Sequence, residues 1–240
     1  MANRAGAGMA LLIVLVIGAG TIAGPAPAPP VGGLRIESIT HDARSPLRAG
    51  DVLTVTLRGS VGATATFDVF GLVANARMPE TRPGVYGAQP ALYQGKYTVR
   101  AGEVARSAAV LATLRGTGQE ITGAAARPVT IDTRPPEITL REPAPDARLT
   151  NSRPNIVVAF FDGESAVNPG AVRFLVNGRN VTSEATITET STSYNPQAPF
   201  SPGPVRVELI VSDRAGNTER AAWSFAIAPS TDLIRSVTIN

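Results

Sequence analysis

The chain has 240 residues, 43% of them hydrophobic, which is enough apolar material for one large domain or two small ones. It has no cysteine and one histidine, His41, which excludes disulfides, thiol nucleophiles, thiolate metal sites and histidine-rich metal cages. The net charge is +3, and neither 34–132 (11 bases, 8 acids) nor 133–229 (9 bases, 10 acids) holds the basic cluster that nucleic acid demands.

Residues 1–24 open with Arg4, and nothing ionisable follows up to Gly24. The strongly apolar run, Met9 to Ile17, is short and passes into glycine-rich sequence, whereas a spanning helix needs about 20 apolar residues. The pattern is that of an export signal cleaved after Ala23, or of an uncleaved N-terminal membrane anchor. Residues 25–33 (PAPAPPVGG) form a Pro/Gly-rich spacer, its proline part stiff and extended. Both alternatives export the remainder. The predicted location is therefore secreted or cell-envelope, with membrane contact only through that segment if it is retained.

Residues 34–132 read as short strands. Leu53, Val55 and Leu57 alternate with Thr54, Thr56 and Arg58, and Ala65, Phe67 and Val69 with Thr64, Thr66 and Asp68. Tyr93, Tyr97 and Val99 share a face opposite Gln94, Lys96, Thr98 and Arg100. Period-two alternation puts one face on a core and the other in water. Gly59 to Gly62 and Arg115 to Gly118 are predicted hairpin turns, and Met78 to Leu92 an exposed irregular loop. At Asp132-Thr133-Arg134-Pro135-Pro136 two prolines cannot donate to a sheet ladder, which marks a short, semi-rigid join.

Residues 133–229 repeat the logic. Ile138 and Leu140 begin a strand, and Ile156 to Phe161 is a continuous apolar run, as in a strand covered on both faces. Val172, Phe174 and Val176 lead into Asn177-Gly178, a two-residue hairpin signal, and Ala185 to Thr190 adds a strand with Ile187 inward. Val205, Val207, Leu209 and Val211 alternate with polar positions, Asp213 to Asn217 turns the chain, and Trp223, Phe225 and Ile227 return on the last strand. About seven strands in this length is the spacing of a β-sandwich. The fold class is all-β: two tandem sandwiches, 34–132 and 133–229. In the tail 230–240, residues 234–240 align with 36–42, so the tail reads as the first strand of a third module or as a lone strand docking on a sheet edge.

The stretches D-T-R-P-P-E-I-T-L-R-E-P (132–143), R-P-N-I-V-V-A-F-F-D (153–162), V-R-F-L-V-N-G-R-N-V-T (172–182) and V-S-D-R-A-G-N-T (211–218) before W-S-F (223–225) resemble bacterial immunoglobulin-like repeats of secreted and surface proteins. L-R-A-G-D-V-L-T-V-T-L (47–57) and G-K-Y-T-V (95–99) resemble a second bacterial sandwich module less closely. The resemblance implies immunoglobulin-like architecture and an envelope setting, and it transfers no catalytic residue.

No catalytic, cofactor-binding or metal residue is expected. His41 reads as a solvent-exposed strand-end residue, Gly163 to Val167 lacks the last glycine of a nucleophile elbow, and Gly95-Lys96 lacks the earlier glycine of a phosphate loop. An oxygen-rich set, Asp162, Glu164, Asp213 and Asn217, offers about half of the 6–8 oxygens that calcium takes. The competing reading, preferred here, is that Asp213 caps its own turn while Gly216 or Asn217 supplies the left-handed residue. The expected role is a non-catalytic spacer, adhesion or protein-interaction module, with loops 79–92 and 191–204 meeting cell-surface proteins or glycans. The alternative is a carbohydrate-binding accessory module using Tyr86, Tyr93, Tyr194 and Phe200.

Overall fold

The computed structural model describes residues 33–229 except Tyr86, Gly87 and Thr117. The leader 1–24, nearly all of the spacer, Tyr86 and the tail 230–240 lie outside the described residues. Within them the regular structure is β, with two single 3-10 turns at Pro169–Ala171 and Thr182–Glu184, and no helix is long and apolar enough to cross a membrane.

The first body contains β1 (Ile36–His41), β2 (Val52–Gly59), β3 (Thr64–Val69), β4 (Val73–Met78), β5 (Glu80–Arg82), β6 (Ala91–Thr98), β7 (Val104–Ala108), β8 (Val110–Gly116), β9 (Gln119–Ala124) and β10 (Val129–Asp132). One sheet runs β1-β2-β6-β5, a second β4-β3-β8-β9, and β10 pairs with β7. The alternation on β2, β3 and β6 packs Leu53, Val55, Leu57, Tyr93 and Tyr97 against Phe67, Val69, Ala112 and Leu114 in one core. Gly95 lies on the inward face of β6 between the two tyrosines. A Cβ there would stand 2.5 Å from Phe67 Cε1, so the ring rests directly on the backbone.

The second body contains β11 (Glu137–Glu142), β12 (Arg148–Leu149), β13 (Ile156–Phe161), β14 (Arg173–Val176), β15 (Arg179–Asn180), β16 (Thr186–Ile187), β17 (Ser191–Tyr194), β18 (Gly203–Ser212) and β19 (Thr218–Ile227). Its sheets run β11-β13-β17-β16 and β12-β19-β18-β14-β15. β18 and β19 pair in unbroken antiparallel register from Gly203↔Ile227 to Ser212↔Thr218. Val205, Val207, Leu209, Val211, Phe225 and Ile227 meet Ile156, Val158, Phe160 and Tyr194 in a second, separate core. Trp223 joins that core, and its indole N–H donates to the Pro143 carbonyl at 2.9 Å. Asn177 (φ 50°) and Gly178 (φ 77°) make the predicted two-residue turn of the β14–β15 hairpin.

Three local expectations are corrected. Gly59 to Gly62 is an arch between sheets, since β2 and β3 belong to different ones. Turn residues mark a reversal but not whether the flanking strands pair. The Tyr93 hydroxyl holds this arch, donating to Ser60 O (2.8 Å) and accepting from Ala63 N (3.3 Å). Within Met78 to Leu92, Met78 is buried and Glu80–Arg82 pairs with β6 as an edge strand. The run Ile156 to Phe161 is covered on one face only: Ile156, Val158 and Phe160 are buried, while Phe161 is 60% exposed.

The Tyr97 hydroxyl donates to Glu103 Oε1 at 2.5 Å. Burial first, then the hydrogen bond and charge of Glu103, push this phenol up to about 12. A folded-state value above the unfolded one means that its stabilisation is complete below about pH 10 and is lost as pH rises towards 12. The denaturation midpoint of the first body should therefore fall across this window, and Tyr97→Phe should shrink the fall. Gly95→Ala should destabilise the first body by roughly 1–3 kcal/mol through overpacking. Far-UV circular dichroism should show the earlier transition, while fluorescence of Trp223, the sole tryptophan and a member of the other core, keeps its midpoint.

Candidate functional site at the joint

Asp132 is the last residue of β10 and is 0% exposed. Its Oδ1 accepts from Arg134 N at 3.0 Å, and its carbonyl accepts from Asn217 Nδ2 at 2.9 Å. Asp162 directly follows β13. Its Oδ1 accepts from Ser165 N (2.8 Å) and Ala166 N (2.7 Å), curling 162–166 into a tight loop. Asp213 directly follows β18 and is 2% exposed. Its Oδ1 accepts from Gly216 N (2.6 Å) and Asn217 N (2.9 Å), and its Oδ2 from Asn217 Nδ2 (2.7 Å). Gly216 supplies the left-handed residue, at φ 91°.

The two loops meet because β13 and β18, in opposite sheets, end side by side. Val167 bridges Asp213, and Arg214 N donates to Ala166 O at 2.9 Å. Asp132 arrives from the first body, so one carboxylate oxygen from each of Asp132, Asp162 and Asp213 lies within 4.8 Å of the others. Burial is the main cause that pushes the Asp213 carboxyl up; the Asn217 and Gly216 N–H groups oppose it, and the charge of Asp132 adds to it. Among the described residues no ion pair reaches any of the three: Arg134 stands 3.9 Å from Glu164, and Arg48 donates to the Gly216 carbonyl at 3.2 Å. Asp132 Oδ2 is buried with no hydrogen-bond partner.

Of the oxygen-rich set, the structure thus unites Asp162 and Asp213, as expected of two loops at one end. Asn217 joins them as a hydrogen-bond donor. Glu164 faces Arg134 instead. The turn-capping role of Asp213 is present in full, yet it accounts for that residue alone. Asp132 is absent from the sequence-based set because a residue read as the end of a linker gives no sign of which distant loops will surround it.

His41 is buried, a correction to the exposed strand-end reading. It shares the inward face of β1 with Ile39, and its Nε2 lies 2.9 Å from the Arg127 carbonyl. The Gly163 to Val167 segment is the Asp162 loop described above, and Lys96 is exposed on β6. The loop expected at 191–204 begins later, since Ser191–Tyr194 is strand. The rings offered as a sugar platform are largely in the cores. Tyr93 and Tyr194 are buried, and Phe200 is half-buried edge-on to Phe225 at 6.2 Å. Tyr194 packs edge-on to Phe174 at 6.3 Å, and its hydroxyl accepts from Arg179 Nη2 at 2.6 Å. A surface depression lined by Thr64, Arg115 and Glu120 is open to solvent, and Arg115 is paired there with Glu120 at 2.8 Å.

No protein-family model matches the sequence, and no curated protein matches it. Among solved structures, the chain is similar to Rst D1-D2 (12% identity over 82% of this chain and 100% of that one, TM-score 0.46). It is also similar to the fibronectin(III)-like modules of Clostridium thermocellum CbhA (16%, 79% and 94%, 0.34). A third likeness is to the N-terminal Ig1-2 module of the Drosophila receptor protein tyrosine phosphatase DLAR (13%, 82% and 100%, 0.27). All three scores lie below 0.5, so the sandwich architecture rests on the strand pairing and the two cores.

Tyr194→Ala should unfold the second body at lower denaturant, by roughly 3 kcal/mol, as loss of a core ring does. Equilibrium denaturation followed by Trp223 fluorescence checks this; an unchanged midpoint would return Tyr194 to the surface.

Proposed function

We propose that this chain is a non-catalytic exported protein of the bacterial cell envelope, a spacer or adhesion element whose loops meet cell-surface proteins or glycans. The observation that carries the reading is the pair of separately cored sandwiches following a leader-like segment. Each body closes around its own aromatic and branched side chains, an arrangement suited to holding two ends apart. Residues 1–24 support export, either as a cleaved signal or as a retained anchor. The repeat-like stretches 132–143 and 211–225 support a bacterial surface setting. The burial of Tyr93 and Tyr194 weighs against the accessory sugar-binding alternative, because a sugar platform needs rings on the surface.

Fractionation of cells making the full chain, or a form lacking 1–24, tests the reading. The full chain should lie outside the cytoplasm, and the shortened form should stay inside. The purified protein should release no product from a panel of polysaccharides and peptides. Cytoplasmic retention of the full chain, or hydrolysis lost on a point substitution, overturns it.

A further inference from the structure

We propose that Asp132, Asp162 and Asp213 bind a divalent cation of the calcium type, which ties the last strand of the first sandwich to two loops of the second. The donors come from both bodies, and an oxygen of each already lies within 4.8 Å of the others. Three oxygens evenly placed around one ion at roughly 2.4 Å stand about 4.2 Å apart, so a set within 4.8 Å closes on a calcium ion with shifts of at most a few tenths of an ångström. Magnesium, at about 2.1 Å, would draw the three to about 3.6 Å and demands a stricter octahedron.

A second observation is independent of this proximity. Asp132 Oδ2 is buried and has no hydrogen-bond partner, although its sister oxygen is bound by Arg134 N. A buried carboxylate oxygen left bare is costly, and it is costlier beside two more carboxylates with no arginine or lysine paired to them. A cation removes both penalties at once. The loop hydrogen bonds leave the set ready for it: Oδ1 of Asp162 and Oδ1 of Asp213 are each held by two backbone N–H groups, which fix both carboxylates in place.

The ligand chemistry selects the ion. All three donors are hard carboxylate oxygens, the chain has no cysteine, and its one histidine, His41, is not part of the cluster. Such a set favours calcium or magnesium over zinc or copper. Three carboxylates supply 3–6 of the 6–8 oxygens that calcium takes, and water completes the shell. Affinity on the order of 0.1–1 mM is expected, as in extracellular modules.

The test is thermal unfolding of the chelator-treated full chain, followed by Trp223 fluorescence, with chelator, 5 mM calcium or 5 mM magnesium. Calcium should raise Tm by on the order of 5 °C, and magnesium by clearly less. Titration calorimetry should give one calcium per chain. Asp132→Asn should abolish the rise and melt no lower than the wild type in chelator, because it keeps the shape of the side chain and removes a buried charge. Should that variant fail to fold, Asp162→Asn replaces it, since its amide oxygen still accepts from Ser165 and Ala166. No calcium response in the wild type, an undiminished response in the variant, or an equal response to magnesium would each overturn the assignment.

Discussion

The constraint on which the structure depends is that only every second side chain of a strand can face a core. In β2 and β18 alike, a buried branched residue is followed by one turned outward. Each sheet therefore has one apolar face, and that face is covered by the partner sheet within its own half of the chain. Among the described residues the two cores share no side chain. Pro135 and Pro136 then separate them by a few residues that can join no ladder. The two cores close on either side, one ending at Ile131 and the other bounded by Ile138.

That division decides what can occupy the joint. Where two bodies share no core, their contact is made by strand ends and loops, which carry polar groups. The bonds across this joint are of that kind: Asn217 Nδ2 to the Asp132 carbonyl, Arg48 to the Gly216 carbonyl, and Arg134 beside Glu164. The Asp213 turn faces the end of β10, so the geometry that lets it reverse the chain also brings its carboxylate to Asp132. Asn217 serves both, bonding its own turn and the neighbouring body through a single amide nitrogen.

How far this was legible in the sequence follows from burial. Strands with one face in the core announce themselves by period two, and β2, β3, β6, β18 and β19 are readable from their residues. β7 and β9 are not, because their side chains are half-exposed or exposed almost throughout and no alternation is imposed on them. Edge strands as short as Glu80–Arg82 contain too few residues to show a period. The run Ile156 to Phe161 misleads in the opposite sense: apolar residues on its outer face conceal the alternation that burial enforces. His41 does end β1, as its position implies, but its burial is not legible, since a polar side chain on an inward position gives no sign that it faces a core. The Asp213 turn was readable from local spacing alone. The three-carboxylate cluster was not, because local sequence contains Asx turns but not the folding of a linker residue against two distant loops.

A polar joint responds to solution conditions differently from the bodies that it connects. Burial of hydrocarbon depends little on the ions present, whereas buried carboxylates at a few ångströms interact strongly, and the sign of that interaction reverses when a cation enters. With the site empty, repulsion among Asp132, Asp162 and Asp213 opposes the hydrogen bonds of Asn217 and Arg48. With it filled, both act in the same direction. The stability of each sandwich thus comes from its apolar faces, while a cation bound at the three carboxylates would act on the joint between them. For a spacer, stiffness at the joint matters more than stability within each body, because it determines whether two rigid bodies transmit a position or merely tether one.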